Sequence, residues 1–220
     1  MVWDESLRAN FAGRKNMTNR EYLIAPWIRV WHWTNALLIT TLGVTGMSLH
    51  FASENLPLVD FALAVRIHNT AGVLLICAYV FFVVANVATG NGRQFIPKGP
   101  GVLHRIIVQA RWYALGIFRD EPHPHEPSKE EHFNVLQAIT YFKVMYLLMP
   151  VILVTGLIYL YPEFAPDTLF GFDGLLPIAM VHYLAAVAIL LFMLSHIYLG
   201  TTGKTVGQMF KMMFTGWHEH

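Results

Sequence analysis

Cysteine and charge are both scarce in this chain of 220 residues. The single cysteine, Cys77, cannot form an intramolecular disulfide and leaves no cysteine cluster for an iron–sulfur or zinc site. Charged residues make up 13% of the sequence and hydrophobic residues 55%, a balance outside the range of ordinary soluble domains. The composition therefore predicts a lipid-embedded protein in which histidine holds any bound metal.

Long apolar segments recur four times, and each has the roughly 20 residues that a helix needs to cross a bilayer. They run from Val30 to Leu49, Phe61 to Ala88, Ile139 to Tyr161 and Leu175 to Gly200. Because lipid offers the backbone no hydrogen bonds, we expect an all-α fold, a transmembrane four-helix bundle with residues 1–220 as a single domain. The segments also contain glycines that would let a helix or a flat cofactor approach, with tight helix packing preferred for each: Gly43, Gly46, Gly72 and Gly156.

Basic residues are concentrated in one set of connections. Thirteen of the fifteen lie in the N-terminal segment, the long middle connection and the tail: Arg8, Arg14, Lys15, Arg20, Arg29, Arg93, Lys98, Arg105, Arg111, Arg119, Lys129, Lys204 and Lys211. The opposite loops carry only acidic charges: Glu54, Asp60, Glu163, Asp167 and Asp173. This asymmetry predicts that both termini are cytoplasmic. The polar first twenty residues lack the apolar run of a cleavable signal peptide, so the first helix is interpreted as the insertion signal.

The middle connection, about residues 89–138, is too long for a plain turn. Its stretch from Val102 to Phe118 mixes apolar residues and Trp112 with Arg105 and Arg111. That mixture is typical of an amphipathic helix on a membrane surface, so we expect a cytoplasmic interfacial helix between the second and third spans.

Two histidines, His182 and His196, lie fourteen residues apart in the fourth apolar segment. At about 3.6 residues per turn and about 1.5 Å per residue, this spacing makes almost four turns and about 21 Å of rise, so both imidazoles point the same way at different depths. Ionisable side chains inside a spanning helix are costly and usually face a bundle interior, a cavity or a partner. The pair predicts two stacked ligand positions, for which haem irons are the natural occupants.

Two further histidines match these depths. His32 lies just inside the start of the first segment, near the predicted cytoplasmic face, and His68 lies about two turns into the second. We therefore predict an inner pair, His32 with His196, and an outer pair, His68 with His182. A lone histidine would be interpreted as bonded to a neighbouring carbonyl. Four matched by depth favour two haems b with both axial positions filled, a state suited to carrying electrons.

Short segments in a fixed order carry a resemblance across about residues 25–205: Arg29 to Thr34, Arg66 to His68 followed by Gly72, Asn134 to Gln137, Thr155 with Gly156, and His182 through His196. Together they resemble the di-haem cytochrome b subunits of membrane-bound formate dehydrogenases, nickel–iron hydrogenases and thiosulfate reductases. The resemblance implies that the four histidines are haem ligands. It also implies a location in the bacterial inner membrane, where the subunit passes electrons between a membrane quinone and an external iron–sulfur or multihaem redox subunit.

Other residues receive roles from their positions. Arg29 precedes His32 by three residues and is expected to pair with a propionate of the inner haem. Arg66 either packs against a neighbouring helix or contacts the outer haem. Lys143 either snorkels to the cytoplasmic interface or contacts a propionate or quinone.

A quinone needs a lipid-accessible slot with one or two hydrogen-bond donors beside a haem. Asn134 and Gln137 lie three residues apart at the entrance of the third span, at the depth of the inner pair, and are predicted to supply those donors. The alternative is that Asn134 only caps the helix. The family often has Asn-Pro-Leu-Gln where this chain has Asn134-Val135-Leu136-Gln137, so the proline does not carry over.

The leading functional hypothesis is a quinone-reactive electron-transfer subunit of a membrane oxidoreductase complex, with quinone at the inner haem and a redox partner at the outer one. Membrane lipid, quinone and the redox subunit are the expected partners, and nucleic acid is not. The alternative is a stand-alone cytochrome that exchanges electrons with a small acceptor such as superoxide or a ferric chelate. A passive anchor without haem is disfavoured because all four histidines are present.

Overall fold

The computed structural model describes residues 20–51, 59–119, 121–203 and 205–219, and most of them are helical. Several residues used in the charge comparison lie outside the described residues: Arg8, Arg14, Lys15, Glu54 and Lys204. The helices are α1 Pro26–His50, α2 Phe61–Thr89, α3 Val102–Ala114, α4 Val135–Leu160, α5 Leu175–Gly200 and α6 Gln208–Thr215.

Within the described residues, three helices are long and apolar enough to cross a membrane by length and composition: α2, α4 and α5. Three of the four predicted spans are thereby confirmed as membrane-capable helices. Helix α1 reaches a similar length, 25 residues, but it falls outside that set. It carries Arg29, His32 and Asn35 in its first three turns, and it is correspondingly more polar.

Helix boundaries follow local sequence signals. Helix α1 begins at Pro26, whose missing N–H costs nothing in a first turn. Asp60 caps α2 by accepting from the Leu63 N–H at 2.9 Å, and α2 ends at Gly90, whose φ of +69° favours glycine. Both ends of α2 can therefore be understood from neighbouring residues alone.

Helix α4 contains one widened turn. Residues Val144–Leu148 are π-helical and precede Pro150, which has no N–H and crowds the carbonyl of the preceding turn. The Met145 carbonyl in this turn accepts instead from the Tyr79 hydroxyl of α2 at 2.9 Å. A side chain from a neighbouring helix thus satisfies the disturbed backbone and ties α4 to α2.

The helices pack most extensively in two pairs, α1 with α2 and α4 with α5. The Trp31 ring of α1 stacks on Phe82 of α2 at a centroid distance of 4.3 Å, and its indole N–H donates to the Ala78 carbonyl at 3.0 Å. Met149 of α4 and Ile189 of α5 join the same buried cluster. This cluster connects the two helix pairs.

Two very short sheets depart from the all-α expectation. Strand β1, Arg20–Tyr22, pairs antiparallel with β4, Trp217–Glu219, while β2, Thr168–Leu169, pairs with β3, Phe172–Asp173. Strands of two or three residues are too short to show a period-2 pattern in the sequence. The β1–β4 pairing brings the segment before α1 onto the segment after α6.

The middle connection contains the predicted helix, although the α-helical part ends at Ala114 rather than Phe118. Trp112 of this helix is buried within the protein, and its indole N–H donates to the Glu121 carbonyl at 3.0 Å. Arg111 forms an ion pair with Glu121 at 2.9 Å, which folds the following residues back onto the helix. The location of α3 on a membrane surface remains a prediction.

Candidate functional site

The inner pair brings together side chains from the first and the last of the long helices. His32 of α1 and His196 of α5 have ring centres 6.0 Å apart. A metal–imidazole bond of about 2 Å, with the bound nitrogen about 1.2 Å from the ring centre, sets two imidazoles on opposite sides of one metal about 6 Å apart between centres. The observed separation fits that arrangement.

Three buried polar atoms follow one another on the first turns of α1. Arg29 Nε, His32 Nδ1 and Asn35 Oδ1 are buried and have no hydrogen-bond partner among the described residues. The Arg29 side chain also donates through Nη1 to the Phe214 carbonyl at 2.5 Å. Buried polar groups normally have partners, so this row fits a bound group with a polar edge. Pairing of Arg29 with a haem propionate remains a prediction.

His196 has a second neighbour that the sequence did not reveal. The Tyr141 hydroxyl of α4 lies 3.1 Å from His196 Nδ1. Tyr141 follows Asn134 by seven residues, so the two share one face of the helix. This spacing was the sequence signal that placed Tyr141 on the same face as Asn134. The rotation of α4 against α5 decides which side chain the tyrosine contacts.

The outer pair has a more regular environment. His68 Nδ1 lies 2.9 Å from the Thr45 hydroxyl of α1, and His182 Nδ1 lies 3.0 Å from the Thr155 hydroxyl of α4. His68 is also close enough to His182 for the two rings to interact electrostatically. Each outer histidine therefore has its Nδ1 held by a threonine of the preceding helix.

Glycines complete this environment. A Cβ added at Gly46 would lie 3.4 Å from His68 Cε1, and one added at Gly156 would lie 3.1 Å from His182 Cε1. At Gly72, one turn beyond His68, an added Cβ would meet no heavy atom of the described chain within 4 Å. That open space beside a histidine fits a flat ligand.

The preference for tight helix packing holds at Gly43. There an added Cβ would lie 2.8 Å from Leu190 Cδ2 of α5. The other three glycines of the predicted set lie against a histidine or beside open space. Packing between helices therefore explains only part of the set.

Arg66 and Lys143 are exposed. Arg66 Nε donates at 3.3 Å to the carbonyl of Ala62, one turn earlier in its own helix. Within the described chain, no hydrogen bond or ion pair joins either side chain to a paired histidine. Their cofactor and quinone roles stay predictions.

Asn134 and Gln137 form a capping box at the start of α4. Asn134 Oδ1 accepts from the Gln137 N–H at 2.9 Å, and Gln137 Oε1 accepts from the Asn134 N–H at 3.1 Å. This confirms the capping alternative for Asn134, which is 2% exposed. Its amide nitrogen donates to the Tyr113 hydroxyl at 2.8 Å. Burial raises the pKa of the Tyr113 phenol, so the hydroxyl stays neutral and accepts this bond.

The amide nitrogen of Gln137 differs from that of Asn134. Among the described residues it makes no hydrogen bond, and Gln137 is only half-buried. It is therefore the donor that this cap leaves available to another molecule.

The paired histidines suit one kind of metal group. No cluster of three or more His, Cys, Asp or Glu side chains suited to a bare metal ion occurs in the described ranges. Haem needs only two protein ligands because the porphyrin supplies four nitrogens. Apolar membrane helices with histidines paired at two levels define the class of helical membrane haem proteins.

Comparison with known proteins gives the family. Residues 24–216 match the family model described as prokaryotic cytochrome b561. The chain belongs to this family, as its sequence resemblance predicted. It is a bacterial membrane protein of the b-type cytochromes, which bind haem b and take part in electron transport.

Three relatives illustrate the similarity. The Escherichia coli (strain K12) protein named "Putative cytochrome YdhU" is 38% identical over 199 residues, covering 90% of this chain and 75% of the relative. Two proteins are named "Probable Ni/Fe-hydrogenase B-type cytochrome subunit". The Rhizobium leguminosarum bv. viciae protein is 28% identical, covering 90% of this chain and 88% of its own length. The Rhodobacter capsulatus protein is 30% identical, covering 80% and 72%.

Proposed function

We propose that the chain is a quinone-reactive di-haem cytochrome b subunit that passes electrons between the membrane quinone pool and a partner redox subunit. The pairing of four histidines at two levels of the helical core carries this proposal. When bound, haem b would supply one-electron redox chemistry, and the two histidine pairs would hold it.

In this proposal His32 and His196 hold the inner haem, and His68 and His182 hold the outer haem. Helices α1, α2, α4 and α5 form a transmembrane four-helix bundle within one domain of residues 1–220, and α3 lies on the cytoplasmic surface. The span of about 21 Å between His182 and His196 along α5 supports two haems stacked across an inner membrane.

Quinone is proposed to bind beside the inner haem at the start of α4. Gln137 supplies the N–H donor, because its Oε1 is engaged by the cap while its amide nitrogen is not. Asn134 holds the helix start and, through its own amide, the Tyr113 hydroxyl. Lys143, which is exposed, lies about two turns further along α4 than Gln137.

The redox partner is proposed to dock at the opposite end, next to the outer haem. The names of two relatives describe subunits of hydrogenases, which supports a redox partner subunit; we propose that this partner carries an iron–sulfur or multihaem centre. The described charged side chains in the two loops at that end are acidic: Asp60, Glu163, Asp167 and Asp173. A partner with basic residues around its own redox centre would complement them.

Purification of the tagged chain from its native membrane tests this function. We expect two haems b per chain by pyridine haemochrome assay, co-isolation of a redox subunit, and haem reduction by decylubiquinol or a menaquinol analogue. One haem per chain would contradict the paired sites. A lone chain that is fully active toward superoxide or a ferric chelate would instead support the stand-alone alternative.

The orientation has its own test. Reporters fused after His220 should be active only on the cytoplasmic side, because basic residues crowd the connections assigned to that side. A reporter inserted at Phe170, in the opposite loop, is the matched control and should behave in the reverse way. Activity of the terminal fusion outside the membrane would exchange the inner and outer assignments.

A further inference from the structure

We propose that Thr45 and Thr155 are positioning residues that hold His68 and His182 in one tautomer, with Nδ1 protonated and Nε2 free to bind iron. This inference rests on the proposed function of the outer pair. It concerns side chains of this chain alone, and it can fail while both haems remain bound.

The direction of each threonine–histidine hydrogen bond follows from the number of hydrogens that the hydroxyl can donate. A threonine hydroxyl has one hydrogen to donate. Thr45 Oγ1 lies 2.8 Å from the Thr41 carbonyl, and Thr155 Oγ1 lies 2.8 Å from the Val151 carbonyl. A carbonyl can only accept, so each hydroxyl hydrogen is committed to its own helix. Toward histidine, each threonine oxygen therefore acts as the acceptor.

The consequence for the imidazole is a fixed tautomer. When the threonine oxygen accepts, histidine Nδ1 must carry the hydrogen, and Nε2 keeps its lone pair. That tautomer is the one in which Nε2 serves as a metal ligand.

The same device occurs twice. Val44-Thr45-Gly46 and Val154-Thr155-Gly156 are identical tripeptides, each on the helix that precedes the histidine-bearing helix. In each case the threonine meets Nδ1 and the glycine lies against Cε1 of the same ring. Two separate helix pairs therefore arrive at one arrangement, which sets ring position as well as tautomer.

A threonine that donates to a carbonyl of its own helix does not by that bond alone contact a histidine. Thr41 Oγ1 also donates to a carbonyl of its own helix, that of Leu37 at 2.9 Å, but within the described chain it makes no hydrogen bond to histidine. Thr41 lies one turn from Thr45 on α1, so it is a matched control for loss of a threonine hydroxyl.

The expected effect is on the outer haem. A hydrogen bond from Nδ1–H makes the imidazole a stronger donor to iron and favours the ferric state. Isosteric Thr45→Val or Thr155→Val should raise the midpoint potential of the outer haem and alter its low-spin ferric electron paramagnetic resonance signal. The double variant should shift further, while the inner haem stays unchanged.

The experiment uses the purified full-length cytochrome in redox titrations followed optically. The outer haem is identified as the wave missing from His68→Ala. Thr45→Ser and Thr155→Ser should restore the wild-type potential, and Thr41→Val should retain it. Loss of the outer haem in the valine variants with retention in the serine variants would also support positioning by the hydroxyl.

Two outcomes would overturn the inference. One is an unchanged outer potential and resonance signal in both valine variants with two haems bound. The other is an equal effect of the serine and valine variants, which would make the hydroxyl irrelevant. Failure of the proposed function is distinct, because wild type would then lack a second haem.

Discussion

The inner and outer histidine pairs have opposite kinds of surroundings. The outer pair is nearly symmetric, since each ring meets a threonine hydroxyl and a glycine of the preceding helix. The inner pair is asymmetric, since His196 meets the Tyr141 hydroxyl while His32 Nδ1 has no partner among the described residues. A symmetric pair in which both Nδ1 atoms are hydrogen-bonded suits an electron carrier whose histidine rings keep one orientation. The unpartnered polar atoms beside the inner pair fit a bound group with a polar edge, and the proposed quinone site is placed at the same end of the bundle.

The largest effect is expected when one predicted haem ligand is removed from one histidine pair at a time. His32→Ala or His196→Ala should lose mainly the inner haem, and His68→Ala or His182→Ala mainly the outer, so each variant keeps one of the two haems. Pyridine haemochrome assays and low-temperature spectra measure this. His50→Ala is the control, because His50 is exposed on α1, stacks on Tyr183 and meets Phe51 edge-on, with no paired histidine among these ring contacts of the described residues. Loss of the same haem from variants of both pairs would contradict the division.

A second test concerns the polar surroundings of the inner pair. Gln137→Glu keeps an acceptor for the capping box but removes the amide N–H proposed for quinone. Losing one neutral hydrogen bond should lower kcat/KM for quinol about fivefold, with both haems retained. Gln137→Ala should show at least the same loss.

The control for this second test is Gln94→Ala. The Gln94 amide bonds the Lys129 carbonyl in the middle connection and has no proposed contact with quinone. Wild-type turnover in Gln137→Glu would exclude the proposed donor. An equal loss in Gln94→Ala would trace the effect to the fold of the connection.

A third test separates helix capping from quinone binding. Asn134→Ala removes the cap and the bond to Tyr113, so it should destabilise the protein by about 1 kcal/mol. Asn134→Asp keeps the cap and should cost less. Thermal loss of the haem spectrum in detergent ranks the variants. If Asn134→Asp equalled Asn134→Ala, the cap would not be the source of the stability.

The smallest effect is expected from alanine substitutions at the two glycines, which test the symmetry of the outer pair. A Cβ at Gly156 would lie 3.1 Å from His182 Cε1, tighter than the 3.4 Å from Gly46 to His68 Cε1. Gly156→Ala should therefore shift the outer haem spectrum more than Gly46→Ala, and neither should shift the inner one. Gly207→Ala is the control because no described atom lies within 4 Å of its added Cβ. Larger disturbance from Gly46→Ala would reverse the expected order.

Local sequence was enough for much of the helical framework. The predicted segments 61–88 and 175–200 match Phe61–Thr89 and Leu175–Gly200 closely. Apolar length and helix caps depend on neighbouring residues, and the 3.6-residue period puts His182 and His196 on one side of α5 without reference to any other helix. The family follows from these same motifs, which residues 24–216 carry.

The contacts between helices could not be predicted from the sequence. Thr45, Thr155 and Tyr141 each face histidine from a different helix, and the rotation and depth of that helix decide the contact. The β1–β4 pairing likewise joins segments almost two hundred residues apart. The apolar helices and the phase of their histidines could be predicted from the residues alone, because both depend on only a few turns of chain. The hydroxyl that contacts each ring could be identified only from the packed helices, because a single hydrogen bond between two helices depends on how the whole bundle packs.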